Sequence, residues 1–167
     1  VGEPDYDGPI AAFYEAAAER LAVEMQAGRT LAVLCDGDPF FYGSFMHLHS
    51  RLPEGLAEVV PGIPGMAGCW TATGQPITWG DDVLTVLMAT LPEADLSAHM
   101  RRADALVIMK TGRNLPRVRR ALEAAGRLED AWLVERGTMP GQRVLRLGEV
   151  RAEDCPYFAI VLVHGQG

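Results

Sequence analysis

Apolar residues recur at three- and four-residue intervals near the start of the chain. Ile10, Phe13, Tyr14, Ala17, Leu21 and Met25 fall on one helical stripe, and Gly28 stands where such a helix stops. This pattern predicts a helix over 10–27. The run Thr30 to Cys35 is short and apolar, the signature of a buried strand, and it leads into the loop Asp36-Gly37-Asp38-Pro39. A second helix is predicted over 42–51 and a strand over 57–60. The segment VPGIPG follows at 60–65, and its two prolines and two glycines mark a hinge. The expected division is therefore 1–62 and 63–167.

Beyond the hinge the pattern alternates. A helix is predicted over 66–73 and a strand over 83–89. A helix starting at Pro92 carries Leu96, His99 and Met100. A strand follows over 105–109, then a helix over 115–125 that ends at Gly126. Strands over 132–135, 144–147 and 157–163 complete a sheet. Strands interleaved with helices predict an α/β fold arranged as two lobes.

Composition narrows the function classes. A chain of 167 residues with 49% hydrophobic side chains can bury a real core, which excludes a disordered polymer. A formal net charge of −7 argues against a nucleic-acid partner, which calls for a basic face. The clustered arginines, Arg101 with Arg102 and Arg117 with Arg119 and Arg120, read as solvated helix faces. Apolar runs such as Phe158 to Val163 are strand-sized, so no membrane partner is expected. Cys35, Cys69 and Cys155 are widely spaced and odd in number, which implies neither a disulfide framework nor a zinc knuckle. Reduced thiols point to the cytoplasm. The opening at Val1 rather than at a methionine reads as a chain that starts partway through a larger protein.

Candidate chemistry concentrates in Leu34 to Ser44, LCDGDPFFYGS. A strand that ends in a sharp glycine turn is where open α/β sheets bind ligands. Gly37 permits close approach to the backbone, and Asp36 and Asp38 can accept hydrogen bonds from hydroxyl or ammonium groups. The same four residues are also ordinary β-turn chemistry. The segment is neither a P-loop nor GxGxxG, which disfavours phosphate binding. No serine lies in GxSxG, and His47, His49, His99 and His164 lack metal-ligand spacing, so no metal site is expected. His47 and His49 are two residues apart and cannot share a helix face. Trp70, Trp79 and Trp132 can stack on a planar ligand or pack in the interior.

Five segments in order, DGDPFFYGS, VVPGIPG, VIMKTGRN, VERGTMPGQRV and PYFAIVLV, resemble the tetrapyrrole methylases. Within them, GDPFFYGSFMHL paired with MKTGRN and ERGTMPGQ is similar to the branch that methylates precorrin-2 at C-20 in cobalamin biosynthesis. The resemblance implies two α/β lobes with S-adenosyl-L-methionine in the cleft between them, S-adenosyl-L-homocysteine as product, and a homodimer. It implies cofactor contacts at Asp36, Gly37, Asp38 and Phe41 of the acidic loop, at Pro64 and Gly65 after the hinge, at Met109, and at Gly137.

Three departures qualify it. The family's first strand and its Gly-Pro-Gly-Asp-type loop are not in the sequence. Pro64 has no N–H to donate, so its contact is through carbonyl or packing. Tyr42-Gly43-Ser44 stands where several relatives have Phe-Gly-Arg.

Methyl transfer from a sulfonium asks mainly for alignment and exclusion of water. A proton must also leave the acceptor carbon. Tyr42 and His47 are the candidate catalytic residues, and Ser44 is an alternative. Other readings stay open. The substrate is either metal-free precorrin-2 or its cobalt-containing counterpart. A superfamily relative acting on ribosomal RNA or on a modified histidine of a translation factor is a second enzyme reading. A noncatalytic ligand-binding or dimerisation module is the third.

Overall fold

Beyond residue 65 the alternation of strand and helix folds into one five-stranded sheet in the computed structural model, which describes residues 7–151 and 155–167. The chain divides into two units, Val1–Pro64 and Gly65–Gly167. The second holds every strand found among the described residues.

The elements of the second unit are α3 (Gly65–Ala72), β1 (Leu84–Met88), α4 (Glu93–Met100), β2 (Ala105–Met109), α5 (Leu115–Ala124), β3 (Ala131–Glu135), β4 (Arg143–Arg146) and β5 (Ala159–Val163). The strand order is β1-β2-β5-β3-β4. β1 and β2 are parallel, β5 is antiparallel to both β2 and β3, and β4 is antiparallel to β3. It follows that β1, β2 and β3 run the same way and end at the same edge.

Register decides which face is core. Leu106 pairs with Val163 and Ile108 with Val161. On the other side of β5, Val161 pairs with Leu133 and Val163 with Ala131. These residues share one core cluster with Leu96 and Met100 of α4 and with Leu115, Val118 and Leu122 of α5, most of them with no exposed surface. Fully burying one such side chain stabilises by roughly 1.5–3 kcal/mol. Gly126 ends the α5 segment in the left-handed region, at φ 72, with its amide on the Glu123 carbonyl and that of Arg127 on the Leu122 carbonyl. The α/β class, the bounds of β2 and the stop at Gly126 all agree with the sequence reading.

The first unit contains α1 (Asp7–Gln26) and a short α2 (Phe45–His49). Arg51 fastens the two, since its Nε pairs with Glu15 at 3.1 Å and its Nη1 donates to the His47 carbonyl at 2.7 Å. Three expected elements are corrected. Residues 30–35 form no strand and are exposed, with Leu34 at 93%. Residues 57–60 form no strand either. A strand exists only through a paired neighbour, and no described segment of this unit supplies one. The helix expected over 42–51 shortens to five residues, because Tyr42 adopts a positive φ of 51 that no right-handed helix contains.

The clustered arginines are more than a solvated face. Arg119 Nη1 donates to the carbonyls of Leu147 and Val150 at 2.5 and 2.6 Å, Arg117 Nη1 to the Leu91 carbonyl at 3.2 Å, and Arg101 Nη2 to that of Ala124 at 3.1 Å. They satisfy carbonyl groups where loops and helices end.

Candidate functional site

Asp38 organises the acidic loop of the first unit. Its Oδ1 accepts the amide of Phe40 at 2.9 Å, an Asx turn written into the Asp-Pro-Phe sequence. Its Oδ2 accepts the amide of Gly62 at 2.9 Å and so ties the loop to the VPGIPG segment. Gly62 lies so close that a Cβ there would run into the carbonyl oxygen of Gly37. Asp36 is exposed, and its carboxylate has no hydrogen-bond partner among the described residues. The two aspartates therefore differ in use: Asp38 holds backbone, and the Asp36 carboxylate holds nothing among the described residues.

A hollow of about 340 Å³ adjoins this loop, lined by Tyr14, Leu34, Asp36, Asp38, Ser44 and Phe45 among others. The ring of Phe41 meets that of Tyr42 edge-on at 5.0 Å, and Tyr42 is half exposed. The His47 ring lies 5.3 Å from that of Tyr14 in α1, and the His49 ring packs against Phe40 at 4.9 Å. His47 and His49 thus point to different neighbours, as their spacing requires. The structure brings Asp36, Asp38 and Ser44 to one hollow and leaves the Tyr42 and His47 rings in separate aromatic pairs.

In the second unit the candidate residues stand at the edge where β1, β2 and β3 end. Met109 is the last residue of β2, and Lys110 after it has φ 56. Thr111, fully buried, donates its hydroxyl to the Ala159 carbonyl at 2.8 Å. Arg136, immediately after β3, has φ 47 and donates its amide to the Phe158 carbonyl at 2.8 Å. The first residue of β5 and the residue before it are thereby bonded to the exit loops of β2 and β3 respectively. Left-handed conformations at non-glycine residues store strain, and such residues cluster at functional edges.

Gly137 follows Arg136 and presses on α3. A Cβ at Gly137 would sit 2.6 Å from the Cys69 sulfur, and one at Gly68 would sit 2.6 Å from the Thr138 methyl. Burial pushes the Cys69 thiol up to about 11, against the opposing pull of a backbone hydrogen bond from Gly137. Gly65 begins the same helix, and Pro64 ends the first unit. Sequence reasoning does not single out Gly62, Gly68 or Thr138, and it reads Cys69 only as an unpaired thiol. The glycine-rich hinge and the GTMPGQ segment were the available signals. Of the tryptophans, Trp132 lies beneath the Arg146 guanidinium at 3.7 Å and Trp79 is 55% exposed.

Among the described residues no group of three or more His, Cys, Asp or Glu side chains is placed to hold a metal ion, and no helix is long and apolar enough to cross a membrane. The chain is 52% identical over 161 residues to a precorrin-2 C(20)-methyltransferase of Sinorhizobium sp, covering 96% of this chain and 66% of the relative. It is 31% identical to a cobalt-precorrin-2 C(20)-methyltransferase of Salmonella typhimurium, covering 93% of this chain and 67% of that one. A uroporphyrin-III C-methyltransferase of Thermus thermophilus, solved in complex with S-adenyl homocysteine, superposes with a TM-score of 0.61 at 23% identity, covering 90% of this chain and 73% of that one. The chain thus spans just under two thirds of the length of the Sinorhizobium relative. The profile of the Tetrapyrrole (Corrin/Porphyrin) Methylases matches residues 3–151, and the chain belongs to that family.

Proposed function

We propose that this chain carries the cofactor-binding body of an S-adenosyl-L-methionine-dependent methyltransferase that methylates precorrin-2 at C-20, giving precorrin-3A in cobalamin biosynthesis. The observation that carries the reading is the likeness to the Sinorhizobium relative along nearly the whole chain. The local chemistry fits. Asp36 offers a carboxylate with no hydrogen-bond partner among the described residues beside a hollow, and Met109 and Gly137 lie at the carboxyl edge of the sheet; Gly37, between the two aspartates, is a proposed contact through its backbone. Pro64, Gly65 and Phe41 complete the proposed contact set. The division near residue 62 into two lobes, a homodimer and a cytoplasmic setting are parts of the same proposal.

The cofactor, when bound, supplies an electrophilic methyl group on sulfonium. What remains for the protein is to orient, to exclude water and to receive a proton. Asp38 keeps the loop in shape by holding the Phe40 and Gly62 amides. Tyr42 and His47 are the proposed groups for proton removal. Single acid–base contributions are typically about a hundredfold to ten-thousandfold. The expected loss on Tyr42→Phe or His47→Ala is about tenfold to a thousandfold, with cofactor affinity barely changed.

The test is transfer of labelled methyl from S-adenosyl-L-methionine to precorrin-2 and, in parallel, to its cobalt complex. Labelling of the metal-free substrate supports the reading. Preference for the cobalt complex favours the second reading, which the Salmonella relative motivates. Binding of S-adenosyl-L-homocysteine with no transfer to either tetrapyrrole by the full-length protein would overturn both.

A further inference from the structure

The turn between β3 and β4 contains a residue for which the chemistry above has no use. Gln142 directs its side-chain Oε1 back across the turn and accepts the amide of Thr138 at 2.7 Å. Thr138 has φ 64, an unfavourable region for a β-branched residue. Its Cγ2 methyl occupies the space where a Cβ of Gly68 would be, and Gly137 beside it presses on Cys69. Backbone bonds from Met139 to the Arg136 carbonyl at 2.8 Å and from Gln142 to the Met139 carbonyl at 3.1 Å shape the rest of the turn. Neither constrains the amide of Thr138. Thr138 is exposed, so water can satisfy that amide, but water cannot hold the residue in the left-handed region.

We infer that Gln142 is a positioning residue for the cofactor. By holding Thr138 in its strained conformation it seats the methyl over Gly68 and fixes the backbone of Gly137 against α3, the helix that begins at Gly65. Without that acceptor, Thr138 relaxes toward negative φ, its methyl leaves the Gly68 notch, and Gly137 withdraws from Cys69. The inference rests on the proposed use of Gly137 and Gly65 as cofactor contacts.

Gln142→Met removes the acceptor at nearly constant size, and Gln142→Glu keeps one. In the full chain, calorimetry with S-adenosyl-L-homocysteine, amide hydrogen exchange at Thr138 and thermal melting are compared. The methionine variant is expected to bind about tenfold more weakly, as loss of one hydrogen bond implies, and to exchange the Thr138 amide faster. Its Tm should stay within a few degrees of the parent, and Gln142→Glu should restore both affinity and protection. A methionine variant that binds like the parent overturns the inference, and so does a glutamate variant that loses as much as methionine. A parent chain that binds no S-adenosyl-L-homocysteine sinks the functional reading itself. A parent that binds while the methionine variant binds equally well sinks this inference alone.

Discussion

Asp38 accepts the amide of Gly62 on one carboxylate oxygen, across 24 residues of sequence. Its other oxygen is taken by Phe40. Asp38→Ala frees both amides and separates the acidic loop from the VPGIPG segment. A hydrogen bond to a charged group contributes about 1.5–3 kcal/mol, so S-adenosyl-L-methionine affinity should fall about tenfold to a hundredfold. Asp38→Asn keeps one acceptor and should lose less. Calorimetry on folded variants checks the order, and an alanine variant with parental affinity contradicts it.

Gly137→Ala places a methyl 2.6 Å from the Cys69 sulfur. Overpacking of this kind typically costs about 1–3 kcal/mol. Shortening the opposing side chain with Cys69→Ala should recover part of the loss. The two substitutions are in contact, so their effects should couple by about 0.5–3 kcal/mol in urea denaturation. Strict additivity would show that the glycine is not packed on α3.

The three thiols should label in a definite order. Cys35 is exposed, Cys155 is partly buried and Cys69 is buried. Burial raises both Cys155 and Cys69, the latter to about 11 from an ordinary 9.0. Iodoacetamide at pH 8 should modify Cys35 first and Cys69 only after unfolding. The raised thiol also sets a pH window. Below pH 9 both folded and unfolded states keep the Cys69 proton. Between about 9 and 11 the unfolded chain releases it first, so stability falls across that interval. Cys69→Ala should remove this part of the slope.

Ser97 in α4 is 6% exposed, and its hydroxyl has no hydrogen-bond partner among the described residues. A buried, unsatisfied hydroxyl is a cost, and alanine is the better helix former. Ser97→Ala should therefore raise stability by about 1 kcal/mol, read from the urea midpoint. A lower midpoint would mean that the hydroxyl is solvated.

Legibility in the sequence followed the physics of each element. Ala105–Met109 is legible at its true bounds because the strand is buried on both faces, so every position is apolar. Thr30 to Cys35 has a similar pattern and forms no strand, because apolarity reports what a segment prefers and not whether a neighbour pairs with it. Asp38 was visible as turn chemistry, yet its bond to Gly62 was not, since nothing in local sequence encodes a partner 24 residues away. Gln142 lies inside the VERGTMPGQRV segment, yet residue type there does not disclose its role. Its role depends on the left-handed φ of Thr138, which residue type does not announce.

The place of β5 has a consequence for synthesis. Of the five strands among the described residues it comes last in sequence and lies third across the sheet, with β2 on one side and β3 on the other. Until Ala159–Val163 leaves the ribosome, both neighbours have an unpaired edge, and Leu106, Ile108 and Leu133 have cross-strand partners on one side only. Open apolar edges of this kind invite intermolecular pairing. The nascent unit is thus exposed to aggregation until β5 arrives, and closure of the sheet depends on the slow, long-range contacts that limit folding speed.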